Sequence, residues 1–228
     1  MYIIQKIIQS LIESLIRNIS GKPGRVIRSL YYRKIFKSCG KNIVIDEGVI
    51  FINPQNISIG SNVWISPYTL IIARSEKSKI DTNERKTIKK VNKNFKYSKP
   101  HIYIGNNVSI GPYNCINGES GIVIGDYFTS SARVSIYAGS HNYNDPNEPS
   151  LITYANCMAN NENISCIESP IVIGKNVWLA LNVIMLGGTI GNNSFITANS
   201  LVIKNIPENS YASGNPARKI KSRFIDKD

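Results

Sequence analysis

The 228-residue sequence predicts an all-β solenoid of hexapeptide repeats, preceded by a helix and interrupted by two loop excursions. Two observations predict it. The five-residue signal Ile-Gly-x-x-(Val, Phe or Ser) begins at Ile59, Ile104, Ile124, Ile173 and Ile190, at intervals of 45, 20, 49 and 17 residues. An aliphatic residue before a Gly and a polar pair is the chemistry of a tight turn that asks for a permissive backbone. Short β-branched runs such as Ile43-Val44-Ile45 and Ile57-Ser58-Ile59, separated by Gly and Asn, fit strands of a few residues each. With about 18 residues to a coil of three six-residue faces, the two long intervals hold insertions of roughly 27 and 31 residues.

Residues 1–41 form the first unit. Apolar side chains at Ile3, Ile4, Ile7, Ile8, Leu11, Ile12, Leu15, Ile16 and Ile19 make a broad helical stripe, which Lys6, Glu13 and Arg17 interrupt and Gly21, Pro23 and Gly24 end. Such a helix either packs on the solenoid end or a partner subunit, or lies on an anionic bilayer with Arg25, Arg28, Arg33 and Lys34 assisting.

The solenoid spans residues 42–213, about six coils and about 30 Å tall at strand spacing. The first excursion, 73–100, is polar and basic, and is expected outside the stack as a hairpin, short helix or mobile flap. The second, 142–170, is Asn-rich and bounded by prolines. At Leu186-Gly187-Gly188-Thr189 the spacing is short, so either a corner tightens or the register shifts. Residues 214–228 close the chain with Gly214-Asn215-Pro216-Ala217-Arg218 and a charged tail.

The net charge of +12 raises membranes, nucleic acid and anionic ligands as partners. No nucleic-acid module is present and no run alternates basic with aromatic residues, so nucleic acid is not an expected partner. Four cysteines without CxxC spacing, and no leader segment, suit reduced thiols in the cytoplasm. No run of 18 apolar residues exists to span a bilayer.

Of the two histidines, His101 directly precedes the strand Ile102-Tyr103-Ile104 and reads as a strand-edge residue. His141 follows Ser135-Ile136-Tyr137 and opens the second excursion, where a rigid coil gives way to a loop. A near-neutral imidazole there suits proton abstraction from a hydroxyl.

The coils, His141 in its loop, Val177-Trp178-Leu179 and the terminal Gly-Asn-Pro-Ala-Arg resemble the hexapeptide acetyltransferases, which are left-handed β-helices. That family includes galactoside, maltose, xenobiotic and surface-polysaccharide enzymes. Tyr31-Tyr32-Arg33, Cys39-Gly40-Lys41-Asn42 and Asn53-Pro54 are more similar to the surface-polysaccharide branch.

The resemblance implies a homotrimer with acetyl-CoA in the groove between prisms, and no metal. It implies direct transfer to a sugar hydroxyl, with His141 as general base and a backbone N–H near Ala180 or Leu181 meeting the developing oxyanion. It places Ala198 along the pantetheine channel and Ile203 and Lys204 at the nucleotide end. Arg218 and Lys221 would face the phosphates. Trp178 either walls the channel or packs a corner. On the acceptor side Glu119 matches a sugar-binding position. Asn114 or Tyr143 stands in for an Asn whose place Gly111 takes, with an interior ladder as the other reading of Asn114. Asp145 either orients His141 or starts the turn before Pro146.

Other readings remain open. They are an N-acetyltransferase of a nucleotide-linked amino sugar, a streptogramin or chloramphenicol acetyltransferase, and a non-enzymatic scaffold. A γ-type carbonic anhydrase needs three histidine ligands, one more than the chain carries. The basic excursion, through Lys86, Lys89, Lys90 and Lys93, is a candidate for recruiting an anionic glycan or lipid-linked precursor.

Overall fold

The computed structural model describes residues 2–74, 86–99, 101–142 and 165–224. Three parallel sheets form a triangular prism, and the chain visits them in rotation. The first face stacks Ser38–Cys39, Ile57–Ile59, Ile102–Ile104, Ile122–Ile124, Ile171–Ile173 and Gly188–Ile190. The second runs from Ile43–Ile45 to Ser210–Gly214 and ends in the antiparallel strand Ala217–Ser222. The third runs from Ile50–Ile52 through Cys115–Gly118 and Ser135–Tyr137 to Leu201–Val202. The solenoid therefore starts at Ser38, four residues before the expected boundary, because Ser38 and Cys39 pair with Ser58 and Ile59.

Alternation drives the stacking. In each Ile-x-Ile strand the outer two residues point inward and the middle one outward, which is the period of an extended chain. Ile57, Ile102, Ile122 and Ile171 make one fully buried column in register. Each such side chain contributes about 1.5–3 kcal/mol relative to exposure.

The glycine of the repeat signal acts differently from the sequence expectation. Gly60, Gly105, Gly125, Gly174 and Gly191 have ordinary negative φ; the left-handed positions fall two residues later, at Asn62, Asn107, Tyr127, Asn176 and Asn193. The glycines are needed because the next coil passes too close for a Cβ. One built on Gly125 would lie 2.7 Å from the Gly174 carbonyl carbon and oxygen. The two polar residues divide the remaining work. The first takes an N–H from the coil before it, as in Ser61 N to Asn106 Oδ1 and Asn106 N to Asp126 Oδ1, both 2.8 Å. The second adopts the left-handed conformation that Asn tolerates, and its amides form ladders (Asn42 to Asn62 to Asn107, Asn176 to Asn193). The Gly125→Ala variant is therefore expected to lose about 1–3 kcal/mol in denaturant unfolding. Gly139→Ala should be near neutral, because its Cβ would meet nothing closer than 3.5 Å.

The coil length is not constant. Partners lie 20 residues apart in early coils (Ile43 with Val63, Ile102 with Ile122) and 17 apart later (Ile171 with Gly188, Trp178 with Phe195). The shortening occurs at Leu186-Gly187-Gly188, where both glycines have positive φ. The corner tightens there.

Two helices precede the prism, where the sequence suggests one. Helix α1 spans Tyr2–Arg17 and α2 spans Gly21–Arg33. Gly21, Pro23 and Gly24 end the first by opening the second, a placement that suits Pro in a first turn. Tyr32 and Phe36 of the second helix and its continuation pack on Phe51 at the head of the core, with ring centroids 4.6 and 5.0 Å away. Arg28, fully buried, donates to the carbonyls of Ile16, Arg17 and Ile19 at the end of α1 and to Ile45 of the first coil. It is a structural cap and not a surface cation, which removes it from the predicted membrane-facing set.

The excursions do not stand apart. Strand Lys86–Lys89 pairs in parallel with Ser165–Glu168, which pairs antiparallel with Gly139–His141, so both excursions meet in one side sheet. Residues 90–97 then fold back over the first face. Asn92 bonds the Pro170 and Gly188 carbonyls at 2.9 and 3.0 Å, Tyr97 stacks on Tyr103 at 3.7 Å, and Phe95 fills the space over Gly121. No disulfide joins Cys39, Cys115 and Cys166.

Candidate active site

The two histidines separate cleanly. His101 is 4% exposed, with Nδ1 3.0 Å from Lys37 Nζ and 3.3 Å from the Tyr103 hydroxyl. It belongs to the wall of the first face. His141 is the last residue of its side-sheet strand and is exposed. Among the described residues nothing hydrogen-bonds its imidazole. The sequence places it in a loop; the structure places it on a strand, because Cys166 pairs with it across the ladder.

Alternation along that sheet puts Cys166 and Glu168 on the same side as His141. Glu168 accepts from Arg74 at 2.8 Å. Glu119 approaches the same rim: its Oε2 lies 3.9 Å from the position a Cβ of Gly139 would take. Glu119 thus reaches the strand edge at Gly139, two residues before His141. Glu168 escaped sequence reasoning, since it follows His141 by 27 positions and only the ladder makes them neighbours. Asp145 and Tyr143 lie outside the described residues.

Asn114 is placed elsewhere. It is 2% exposed, its amide donates to Ser130 Oγ and its carbonyl oxygen takes the Val134 N–H at 2.8 Å. Buried and bonded on both sides of its amide inside the prism, Asn114 takes the interior place that was its other reading and is withdrawn as a binding residue. Near His141, the Cys115 thiol at 3.2 Å, reinforced by burial, pushes the Tyr137 phenol up to about 12. It stays neutral at physiological pH.

The expected acetyl-CoA residues fall along a corner and a face. At the corner between the second and third faces, the position before each left-handed residue is Pro67, Pro112, Ala132, Leu181 and Ala198 in successive coils. Each carbonyl there but the last takes an N–H from the coil below, as Leu181 does from Asn199 at 2.9 Å. The N–H groups are not used by the fold, which is why two of these positions accept proline. Ala132, Leu181 and Ala198 therefore present a column of unpaired backbone donors among the described residues. Ala180 does not join it, because its N–H is given to the Ile196 carbonyl at 3.0 Å. Of the two oxyanion candidates only Leu181 has a donor to offer. The recurring Ser-Pro-Tyr and Gly-Pro-Tyr at residues 66–68 and 111–113 are the sequence signal for this column.

Arg218 pairs with Ser213, whose hydroxyl accepts from Thr197 Oγ1 at 2.7 Å, so Arg218 sits at the foot of that column. On the outer second face Trp178, Phe195 and Tyr211 form an aromatic stack with centroids 4.7 and 5.3 Å apart, and Lys221 lies 5.1 Å over the last ring. Trp178 Nε1 donates to Ser131 Oγ at 3.2 Å. Ile203 and Lys204 are exposed at the far end of the third face, on the same rim as Glu119 and His141.

No family model matches the chain. Curated relatives do. It is 32% identical over 127 residues to a protein named as colanic acid biosynthesis acetyltransferase, WcaF of Escherichia coli (strain K12), covering 53% of this chain and 69% of that one. It is 33% identical over 121 residues to one named as lipopolysaccharide biosynthesis O-acetyl transferase, WbbJ of the same organism, covering 53% and 60%. The chain thus spans about six-tenths of the length of WbbJ. A longer match, 28% over 193 residues and 82% and 83% of the two chains, is to dTDP-4-amino-4,6-dideoxy-D-glucose acyltransferase of Escherichia coli.

Among solved structures, a mutant of the N-acyltransferase AntD from Bacillus cereus, with dTDP and coenzyme A bound, superposes with a TM-score of 0.68. It covers 91% of this chain and 92% of that one at 21% identity. That likeness establishes the fold, a left-handed parallel β-helix. The chain belongs to the hexapeptide-repeat acetyltransferase family. Within it, relatives are named for polysaccharide biosynthesis and for acylation of a nucleotide-linked amino sugar.

Proposed function

We propose that the protein is an acetyl-CoA-dependent O-acetyltransferase that modifies a sugar hydroxyl of a surface polysaccharide or its precursor. The observation that carries this reading is an exposed imidazole, unengaged among the described residues, at the prism rim of a chain whose relatives are named as polysaccharide-biosynthesis acetyltransferases, one of them as an O-acetyl transferase.

His141 takes the proton of the acceptor hydroxyl as its oxygen attacks the thioester carbonyl. The Leu181 N–H, pointing to solvent, meets the charge developing on that carbonyl oxygen. The carbon–sulfur bond breaks, and the departing thiolate receives the proton from His141 as free thiol. The corner fits acetyl-CoA: Ala198 offers an amide donor to the pantetheine and leaves room for it, and Arg218 and Lys221 offer charge to the phosphates.

One protomer does not assemble this site. His141 and the donor corner lie at opposite ends of the third face, with His141 nine residues after Ala132 along the chain. A second prism, set alongside, brings its own corner to that rim, and a homotrimer repeats the arrangement three times. Exposed Lys89, Lys90 and Lys93 suit an anionic acceptor.

An amine acceptor on a nucleotide-linked sugar is the second reading, favoured by the match that spans four-fifths of both chains. An acceptor screen that follows free thiol release from acetyl-CoA separates the two. Turnover with oligosaccharides or lipid-linked sugars and none with amino sugars supports O-transfer; the reverse establishes N-transfer. Absence of acetyl-CoA binding, measured by calorimetry, would leave only the scaffold reading.

A further inference from the structure

Helix α1 is built inside out. The side it turns toward the body carries Gln9, Glu13, Ile16 and Arg17, three of them polar: Gln9 donates to Glu13 at 2.8 Å, and Glu13 accepts from the Tyr31 hydroxyl of α2 at 3.4 Å. Ile4, Ile7, Ile8, Leu11 and Leu15 are each more than half exposed, Leu15 to 76%. They fall at i, i+3, i+4, i+7 and i+11, one continuous aliphatic stripe. Helix α2 adds exposed Val26, Ile27 and Leu30. A groove of 530 Å³ between α2 and the first coils is lined by Val26, Leu30 and Val44 and rimmed by Lys22, Arg25 and Arg33.

This exposure is held in place. Arg28 ties the end of α1 to α2 and to Ile45, and Gly24 lets the Ile19 carbonyl approach where any Cβ would collide. An apolar stripe fixed outward on a soluble surface needs a cover.

Charge identifies the cover. Residues 1–41 carry nine Lys or Arg against the single acid Glu13, which faces inward; with Arg28 buried and Arg25 paired with Asp46, seven of the nine are left beside the stripe. Two such segments brought together would repel, so a second copy is disfavoured as the occupant. An aliphatic stripe beside a concentrated positive charge fits anionic lipid. At 16 residues α1 is about 24 Å long, short of the roughly 30 Å hydrocarbon core, and no helix among the described residues is long and apolar enough to cross a membrane. The helix lies in the interface and does not span it.

We propose that α1 and α2 form a docking surface for an anionic bilayer, with the aliphatic stripe among the acyl chains and Lys22, Arg25, Arg33 and Lys34 at the headgroups. The proposal stands independently of the reaction the prism performs.

Flotation of the full chain with phosphatidylcholine vesicles, with and without phosphatidylglycerol, tests it. Binding is expected only with phosphatidylglycerol, and is expected to collapse as salt shrinks the Debye length toward about 3 Å at 1 M. The Leu11→Asn/Leu15→Asn pair should bind at least about tenfold more weakly. Lys22→Gln and Lys34→Gln should each cost about fivefold. Both sets should melt like the parent, since these side chains are exposed.

Failure of the parent chain to float with phosphatidylglycerol overturns the proposal, as does equal flotation of the leucine variant. So does a parent oligomer that the leucine variant dissociates in sedimentation velocity, since a second copy would then be the cover.

Discussion

Replacing His141 with Asn is expected to lower kcat by about 10²–10⁴-fold, the range of general-base catalysis, with little change in KM for acetyl-CoA. The reasoning is positional. His141 is exposed on a short strand and its imidazole has no hydrogen bond among the described residues, so its loss costs little stability, and the effect should sit in kcat. Steady-state thiol release together with a melting curve separates the two contributions. His101→Asn should show the opposite pattern, a lower melting point with near-normal turnover of the folded fraction, because that ring is buried against Lys37 and Tyr103. A His141→Asn variant that keeps full turnover removes the residue from the mechanism, and the acetyl-transfer proposal would then need another base.

The largest stability effect is expected at Arg28. Its Nη1 serves three carbonyls at the end of α1, and its Nε serves Ile45 at 2.9 Å. Burial lowers its pKa, yet a guanidinium starts so high that it remains charged at any working pH. Arg28→Leu fills similar space and leaves those carbonyls without their donor. It should lose about 3 kcal/mol in urea unfolding. Arg28→Lys should recover only part of this, because an ammonium cannot span carbonyls arranged for a planar fork. Limited proteolysis near residues 18–20 should accelerate in both. A midpoint unchanged in Arg28→Leu would mean the contacts are not maintained in solution.

The position of His141 at the edge of an insertion was visible in the sequence and the burial of Arg28 was not, for the same reason. His141 followed a strand and opened an insertion, a local pattern that a single chain displays. Arg28 looked like one of four cations beside an apolar helix. Nothing local distinguishes it from Arg25, which is partly exposed and paired with Asp46 at 2.6 Å. Its role depends on where the end of α1 comes to rest. Glu168 was invisible likewise, since the side sheet joins segments 27 and more residues apart. Asn114 read ambiguously because its partner, Ser130, belongs to the next coil.

By itself the sequence determined the prism, its three-faced rotation and the points along the chain where the coils are interrupted. Those follow from inward isoleucines at period two and from corner residues chosen by contact with the adjacent coil, and both act over neighbouring turns of chain. Only the tertiary structure decided the 20-to-17 change in coil length, the outward-facing stripe of α1, the capture of Arg28, and which corner N–H groups stay unspent. Each of these depends on whether a group's partner is supplied by a distant segment, and hydrogen-bond saturation and burial are properties of the assembled fold that no local pattern carries.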